Sequence, residues 1–499
     1  LLNQQSRPLY EHLRKHTDEQ TVRYHIPGHA GGAMYELASW QEIAKWDVTE
    51  IYGMDDLHSP NSVIKEAQQL AAKAYDAGKS YFLVNGTSSG LLASIHGLFR
   101  RGDTVLVQRN AHKSIYNALM LLGLEPQYLM PEPIEPETIA SVVTPSILKT
   151  ALDRYPEAKG VIITSPTFYG HAAEVASLSK LCHECNKLLI VDEAHGAHYN
   201  FHPQLKPYSA LRSGADIVVQ SFHKTLPALT MGSILHVNTR ALGKIDMERL
   251  DYYISVFQTT SPSYVVMASL DFARHWGVHA GEAAIDKAIT RKQQLCKQLQ
   301  QIGIVPWDSH WEQSGLAIDP LKLTIPTNNI NGKMLEQILA SEQIYIELVS
   351  ADHILLLLGL GMEQAADERL LNALIKLIDS SRADNPKLNN PKANNSKICT
   401  TDYPQLPQQS PIVAVPFSRI SQEIYQESTH RVLLEQCIGN VIAEFVIPYP
   451  PGIPLLCPGE QITKEHIDYI YKAKKADIHF QGVTDTTLNS LKCYLKELL

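Results

Sequence analysis

Short aliphatic runs alternate with amphipathic stretches along most of this chain. Residues 62–77 carry Val63, Ala67, Leu70, Ala71 and Ala74 at three- and four-residue spacing, which predicts a helix capped by Asn61 or Ser62. Three aliphatic runs, GVIITSPTFYG (160–170), LLIVDEAHGAH (188–198) and ADIVVQSFHKTLPAL (215–229), predict buried strands, each ending in polar or turn-forming residues. Residues 81–84, 104–108 and 233–238 predict further strands, and 8–16, 114–122, 265–276 and 283–301 predict helices. Beyond these, strand-like stretches at 321–325, 345–348 and 354–358 alternate with helical ones at 332–342 and 365–380. The alternation implies an α/β fold with a mainly parallel central sheet.

Pattern and composition together divide the chain. Residues 1–60 form an N-terminal arm and 61–301 a large α/β domain. A small α/β domain spans 302–381. The Asn- and Pro-rich DNPKLNNPKANNSK lies in a linker over 382–410, and a C-terminal α+β domain covers 411–499. Within the last, 429–438 reads as a helix, while the turn-rich 444–463 fits neither a plain helix nor a plain sheet.

With 499 residues, 44% apolar and 19% charged, the composition is that of an ordinary globular protein. A formal charge of -8 offers no basic field for nucleic acid and no polybasic membrane patch. No apolar run approaches the length of a spanning helix, and the first residues lack the apolar core of a signal peptide. Seven cysteines, an odd number, make no disulfide framework and suit a reducing cytoplasm. Cys182 and Cys185 form a CxxC inside a helical pattern with no second pair nearby, which favours packing over metal binding; no metal is expected.

The candidate chemistry sits where strands end. Adjacent parallel strands would bring Asp192 and the Ser221–His223–Lys224 group to one sheet edge, where open α/β folds hold ligands. A lysine and a carboxylate in that arrangement suit pyridoxal phosphate (PLP): the amine bonds its aldehyde, and the acid keeps the pyridine nitrogen protonated. NGTSSG, between a strand and a helix, offers Thr87, Ser88 and free helix-start N–H groups to a phosphate, without being a P-loop. His112 opens a helix near the same edge and can stack on a ring or lie at the surface. Thr259, Thr260 and Ser261 can cap a helix or reach a phosphate. An N-terminal cluster of His25, His29, His58, Asp47, Glu50, Asp55 and Asp56 suits a site rim or a subunit contact. Glu444 and Glu460 are candidate contacts for a cation.

Taken in order, HIPGHAGG, DDLHSP, NGTSSG, RNAHKS, SPTFYG, VDEAHGAH, SFHKTLPALTMGS, QTTSPSY and PYPPGIPLLCPGE resemble the bacterial ornithine/lysine/arginine decarboxylases in their short form, which lacks an N-terminal wing domain. The resemblance runs from Tyr24 to Glu460. It implies the aspartate aminotransferase-like fold of PLP-dependent transferases. It also implies roles: Lys224 holds the cofactor covalently, Asp192 bonds the pyridine nitrogen, Ala194 packs on the ring, and His112 stacks on the opposite face. Thr87, Ser88, Ser221 and His223 would hold the phosphate, Thr260 would reach it from a neighbouring subunit, and His195 would lie beside this layer. Lys224 or His223 would return the proton. The implied assembly is a homodimer with shared active sites, with a higher oligomer left open.

The implied reaction is α-decarboxylation of a basic L-amino acid, arginine to agmatine first, with lysine and ornithine as alternatives. Asp55, Asp56, Glu444 and Glu460 are the candidates for its cationic tail. A PLP-dependent aminotransferase or carbon–sulphur lyase would keep Asp192 and Lys224. A transaminase also needs an arginine clamp for the carboxylate, and 302–380 holds only Arg369.

Overall fold

The computed structural model describes residues 3–19, 21–134, 139–313, 315–327, 330, 332–350, 352–384, 407, 409–420, 429–449 and 452–495. Its centre is a seven-stranded sheet made of β1 (Lys79–Leu83), β2 (Thr104–Gln108), β3 (Glu125–Leu129), β4 (Gly160–Thr164), β5 (Leu188–Asp192), β6 (Ile217–Gln220) and β7 (Ser233–Val237). The spatial order is β1-β7-β6-β5-β4-β2-β3. β3, β2, β4, β5 and β6 run parallel, and β7 is antiparallel to both β6 and β1. The core strands are buried on both faces, which is why they read as aliphatic runs rather than as an alternation. One apolar cluster, including Phe82, Leu106, Val161, Val191 and Val218, lies on one face. A second, including Leu83, Val107, Ile162, Ile190 and Val219, lies on the other.

β4, β5 and β6 lie side by side in the expected direction. Thr164 pairs with Asp192, and Asp192 with Val219, so the polar C-terminal ends of these strands come together. The expected α/β architecture is therefore the observed one.

Two expected helices, 265–276 and 283–301, are one 38-residue helix, Tyr264–Gln301. Gly277 and Gly281 do not break it. They let Phe201 approach, since a Cβ on Gly277 would stand 2.5 Å from the Phe201 ring and one on Gly281 2.9 Å from Phe201 Cβ. The C-terminal end of this helix carries a smaller unit whose three strands, β8 (Lys322–Pro326), β9 (Leu348–Val349) and β10 (His353–Leu357), run antiparallel in the order β8-β10-β9. Its own core includes Leu323, Ile325, Leu339, Ile354 and Leu374. A short ladder, Ala317–Ile318 on His171–Ala172, ties this unit to the loop after β4.

The helix expected over 429–438 is instead the strand Thr429–Leu433, paired antiparallel with Ser490–Tyr494, followed by a 3-10 turn at Leu434–Gln436. Its partner strand lies some sixty residues away (Leu433↔Ser490) and decides its form, which local periodicity could not foresee. Val415, Phe417, Ile420, Val441 and Cys457 from the C-terminal part join the core of the main sheet. The helix Gln364–Asp384 enters the first positions of the expected linker, and residues 385–406 of that linker lie outside the described residues.

Candidate active site

A cavity of about 570 Å³ opens at the C-terminal edge of β4, β5 and β6. Its wall includes Thr87, Ser88, His112, Asp192, Ala194, His195, Ser221, His223 and Lys224, nine of the residues singled out in the sequence. Each arrives by a backbone device. Gly86, at φ +78°, turns β1 into the helix Gly86–Leu98, whose first turn carries Thr87 and Ser88. The Thr87 hydroxyl is hydrogen-bonded to that of Ser221 and lies 3.2 Å from Ser233 Oγ. His112 caps the helix Lys113–Leu122 through Nδ1, which accepts from Ser114 N–H.

Lys224 Nζ lies 3.0 Å from Nε2 of His195. Burial pulls this lysine below its ordinary value, against the opposing charges of Asp192 and Glu347. His195, desolvated and beside Lys224, is held neutral. Burial lifts Asp192 to about 6, although Lys224 and the Ala194 N–H oppose it. Ala194 N–H is the one donor to Asp192 among the described residues. Desolvation in the cleft, then the charges of Lys224 and Lys113, bring His112 to about 4. His223 Nδ1 bonds the Gly232 carbonyl at 3.0 Å.

The four expected tail-binding acids do not line the cavity. Asp55 caps a helix: its oxygens accept from the N–H groups of Asp56, Asn61, Ser62, Ile64 and Lys65, at 2.8 to 3.3 Å. Burial works against its charge, but these donors outweigh it and hold the carboxyl below the usual range. Asp56 accepts from His58 N–H at 2.8 Å. Glu444 is saturated by Thr484 N–H and Oγ1–H and by Lys492 N–H, which closes the C-terminal unit. Glu460 is buried against Arg109 and Cys457 N–H. All four carboxylates are thus committed to backbone N–H groups or, for Glu460, to Arg109 as well.

Thr260 is exposed and off the cavity wall. Its loop is anchored nearby, since Thr259 N–H donates to Asn85 Oδ1 and His58 Nε2 meets the Thr259 carbonyl at 2.8 Å. His29 pairs with Asp47 at 3.2 Å in the same N-terminal region.

The sequence reading missed a second wall. The small unit brings Glu347, Asp352 and His353 into the cavity, and the loop after β4 adds Phe168 and Tyr169. Lys322 is fully buried behind that loop, its Nζ 5.1 Å from the centre of the Phe168 ring and without a hydrogen-bond acceptor among the described residues. Phe168 and Tyr169 belong to the SPTFYG stretch, which carried no site role in the sequence reading, and no local motif marks Glu347, Asp352, His353 or Lys322. Those four are polar positions among the apolar stretches of the small unit, and only its packing on the sheet edge brings them to the site.

Comparison with known proteins agrees with this geometry. The Orn/Lys/Arg decarboxylase major domain matches residues 7–366, and the C-terminal domain of the same family matches 403–488. An arginine decarboxylase of Bacillus subtilis is 34% identical over 98% of both chains. A Bacillus subtilis protein known as YaaO is 37% identical over 98% of this chain and 99% of its own. The crystal structure of the Francisella novicida lysine decarboxylase LdcF superposes with a TM-score of 0.82 at 22% identity, covering 97% of this chain and 80% of that one. With both of its domains matched in sequence and its architecture shared, the chain belongs to the Orn/Lys/Arg decarboxylase family of enzymes.

Proposed function

We propose that this protein removes the α-carboxylate of a basic L-amino acid as CO2 with pyridoxal phosphate as cofactor, and that arginine is the preferred substrate. The observation that carries the reading is the shared cavity wall of Lys224 and Asp192 at the ends of neighbouring elements of one sheet edge. The donor set fits that cofactor. A poorly solvated lysine suits covalent capture of an aldehyde. A buried carboxylate with a single hydrogen-bond donor suits a pyridine N–H. The Thr87 hydroxyl, at a helix N-terminus opened by glycine, and the Ser221 hydroxyl bonded to it suit a phosphate.

When bound, the cofactor supplies an electron sink for the bond to the departing carboxylate. Lys224 would hold it through its amine, which the poorly solvated setting of Nζ favours. Asp192 would keep a proton on the pyridine nitrogen, and Ala194 and His112 would flank the ring. Neutral His195 takes a hydrogen bond from Lys224 Nζ without adding a second positive charge. Thr87, Ser88, Ser221 and His223 would hold the phosphate. Glu347 serves the cationic tail: it lines the cavity, and no hydrogen bond commits its carboxylate among the described residues. Asp352 on the same wall is already paired with His353.

The working unit is a homodimer in the cytoplasm. Val22, Tyr24, Ile26, Met34, Leu37 and Tyr52 leave a large apolar surface exposed on the N-terminal segment. A second copy covering it would let Thr260 reach the partner's phosphate. Among the described residues, no helix is long and apolar enough to cross a membrane.

Preference for arginine follows the arginine decarboxylases of Bacillus subtilis and Bacillus anthracis, 34% and 32% identical. Separate incubation with arginine, lysine and ornithine, followed by CO2 and amine analysis, tests the reading. Agmatine as the main product is expected. Keto acid without CO2 would replace it with transamination.

A further inference from the structure

Decarboxylation leaves an electron pair on the α-carbon that must be met by a proton. The proton-bearing groups nearest Lys224 are already committed. His195 bonds Lys224, His112 caps its helix through Ser114, and His223 is tied to the Gly232 carbonyl. On the opposite wall, the Tyr169 hydroxyl lies 2.9 Å from His353 Nε2, and His353 Nδ1 lies 2.8 Å from Asp352 Oδ1. All three residues line the same cavity as Lys224.

We propose that Tyr169 is the general acid that protonates the α-carbon, held in place by His353 and, through it, by Asp352; this rests on the decarboxylase reading above.

The hydrogen-bond directions follow from chemistry. Burial raises Asp352, but the His353 ring outweighs it and holds the carboxyl below its ordinary value, so it stays ionised and only accepts. Nδ1 of His353 therefore carries the hydrogen, and Nε2 is left to accept the Tyr169 O–H. The imidazole is 4% exposed, with the Trp307 ring 4.7 Å from it. The tyrosine is fixed from both sides. The Phe168 ring stands edge-on to that of His195, the partner of Lys224, with ring centres 5.3 Å apart, and the ladder of His171–Ala172 on Ala317–Ile318 locks the loop to the small unit.

The step balances. The bond to the carboxylate breaks and CO2 departs without its electron pair, the Tyr169 O–H bond breaks, and a C–H bond forms. The resulting phenolate takes one proton from solvent per turnover, and the restored O–H is again accepted by His353 Nε2. No oxidant or reductant is needed. With the acid removed, the proton goes to the cofactor side instead. An aldehyde then leaves, its nitrogen retained by the cofactor and its oxygen taken from water.

The test uses the cofactor-loaded enzyme and its Tyr169→Phe, His353→Gln and Asp352→Asn variants, with amine and aldehyde both quantified. For Tyr169→Phe the expected result is a kcat lower by about 100-fold, within the range of lost general-acid catalysis, with KM changed by less than about threefold. Aldehyde should rise from a trace to a substantial share of product. The His353 and Asp352 variants should shift the product ratio the same way by a smaller factor, and if Tyr169→Phe does not fold, Asp352→Asn decides. A lower kcat with an unchanged product ratio would mean a structural strut and overturn the proposal, as would an unchanged kcat. Failure of the unaltered enzyme to release CO2 from any basic amino acid would instead remove the decarboxylase reading, and the proposal with it.

Discussion

Glu460 meets Arg109 at 3.3 Å in the seam between the central sheet and the C-terminal unit, where the same guanidinium also donates to the Pro454 and Leu455 carbonyls. Burial raises Glu460, and Arg109 opposes that rise. Breaking one side of a buried pair strands the other charge, at a cost of about 3–5 kcal/mol. Glu460→Ala should therefore lower the melting temperature strongly. For whatever fraction folds, KM for the amino acid should stay near that of the unaltered enzyme. A large KM effect with unchanged stability would return Glu460 to the substrate site.

Glu347 faces the opposite outcome. It lines the cavity and leaves no backbone donor orphaned when neutralised, so Glu347→Gln should preserve the melting temperature. Loss of a charge-assisted contact to the substrate tail should raise KM by about tenfold or more, with a smaller effect on kcat. Steady-state kinetics with arginine, beside a lysine control, reads this directly.

Lys224 is the point of covalent attachment in the proposed chemistry. The loaded protein should be yellow and should gain the mass of one reduced cofactor at Lys224 on borohydride treatment. Lys224→Ala should bind the cofactor without that mass gain and show no measurable decarboxylation. Peptide mapping that finds the label on another lysine would redirect the whole site.

Asp192 links the site to stability through pH. Its folded-state value near 6 exceeds the value of about 3.9 expected for an unfolded chain. A raised value means the folded state binds the proton more tightly. This stabilisation is complete below pH 4 and is lost as pH rises through 6, about 3 kcal/mol in all for the cofactor-free protein. Glu193, lifted to about 8 by burial, adds a loss that continues to higher pH. Asp192→Asn should remove the part of the slope between pH 4 and 6 and leave that of Glu193. The variant should be more stable than the unaltered cofactor-free protein at pH 7, yet slower in decarboxylation by at least about 100-fold. Denaturant unfolding at pH 5 and 7 checks the first statement, and CO2 release the second.

Much of this protein is legible locally. Aliphatic runs ending in Asp192 and in Ser221–Lys224 announce buried parallel strands with chemistry at their ends. A chain that must bury both faces of a sheet has few other places for polar residues. The glycine-bounded turn before Thr87 is equally local, because it depends on one φ angle and the following helix start.

What the sequence determined alone is thus the sheet, its functional edge and the residues carried on it, since burial and backbone geometry act within a few residues. Only the tertiary structure decided the rest. Packing merged two helices across Gly277 and Gly281, a distant partner made a strand of Thr429–Leu433, backbone N–H groups claimed Asp55 and Glu444, and Arg109 claimed Glu460. It also set Glu347, Asp352, His353 and Tyr169 on the facing wall. Which carboxylate meets solvent, substrate or a backbone N–H depends on contacts between segments far apart in the chain, and no periodicity encodes those.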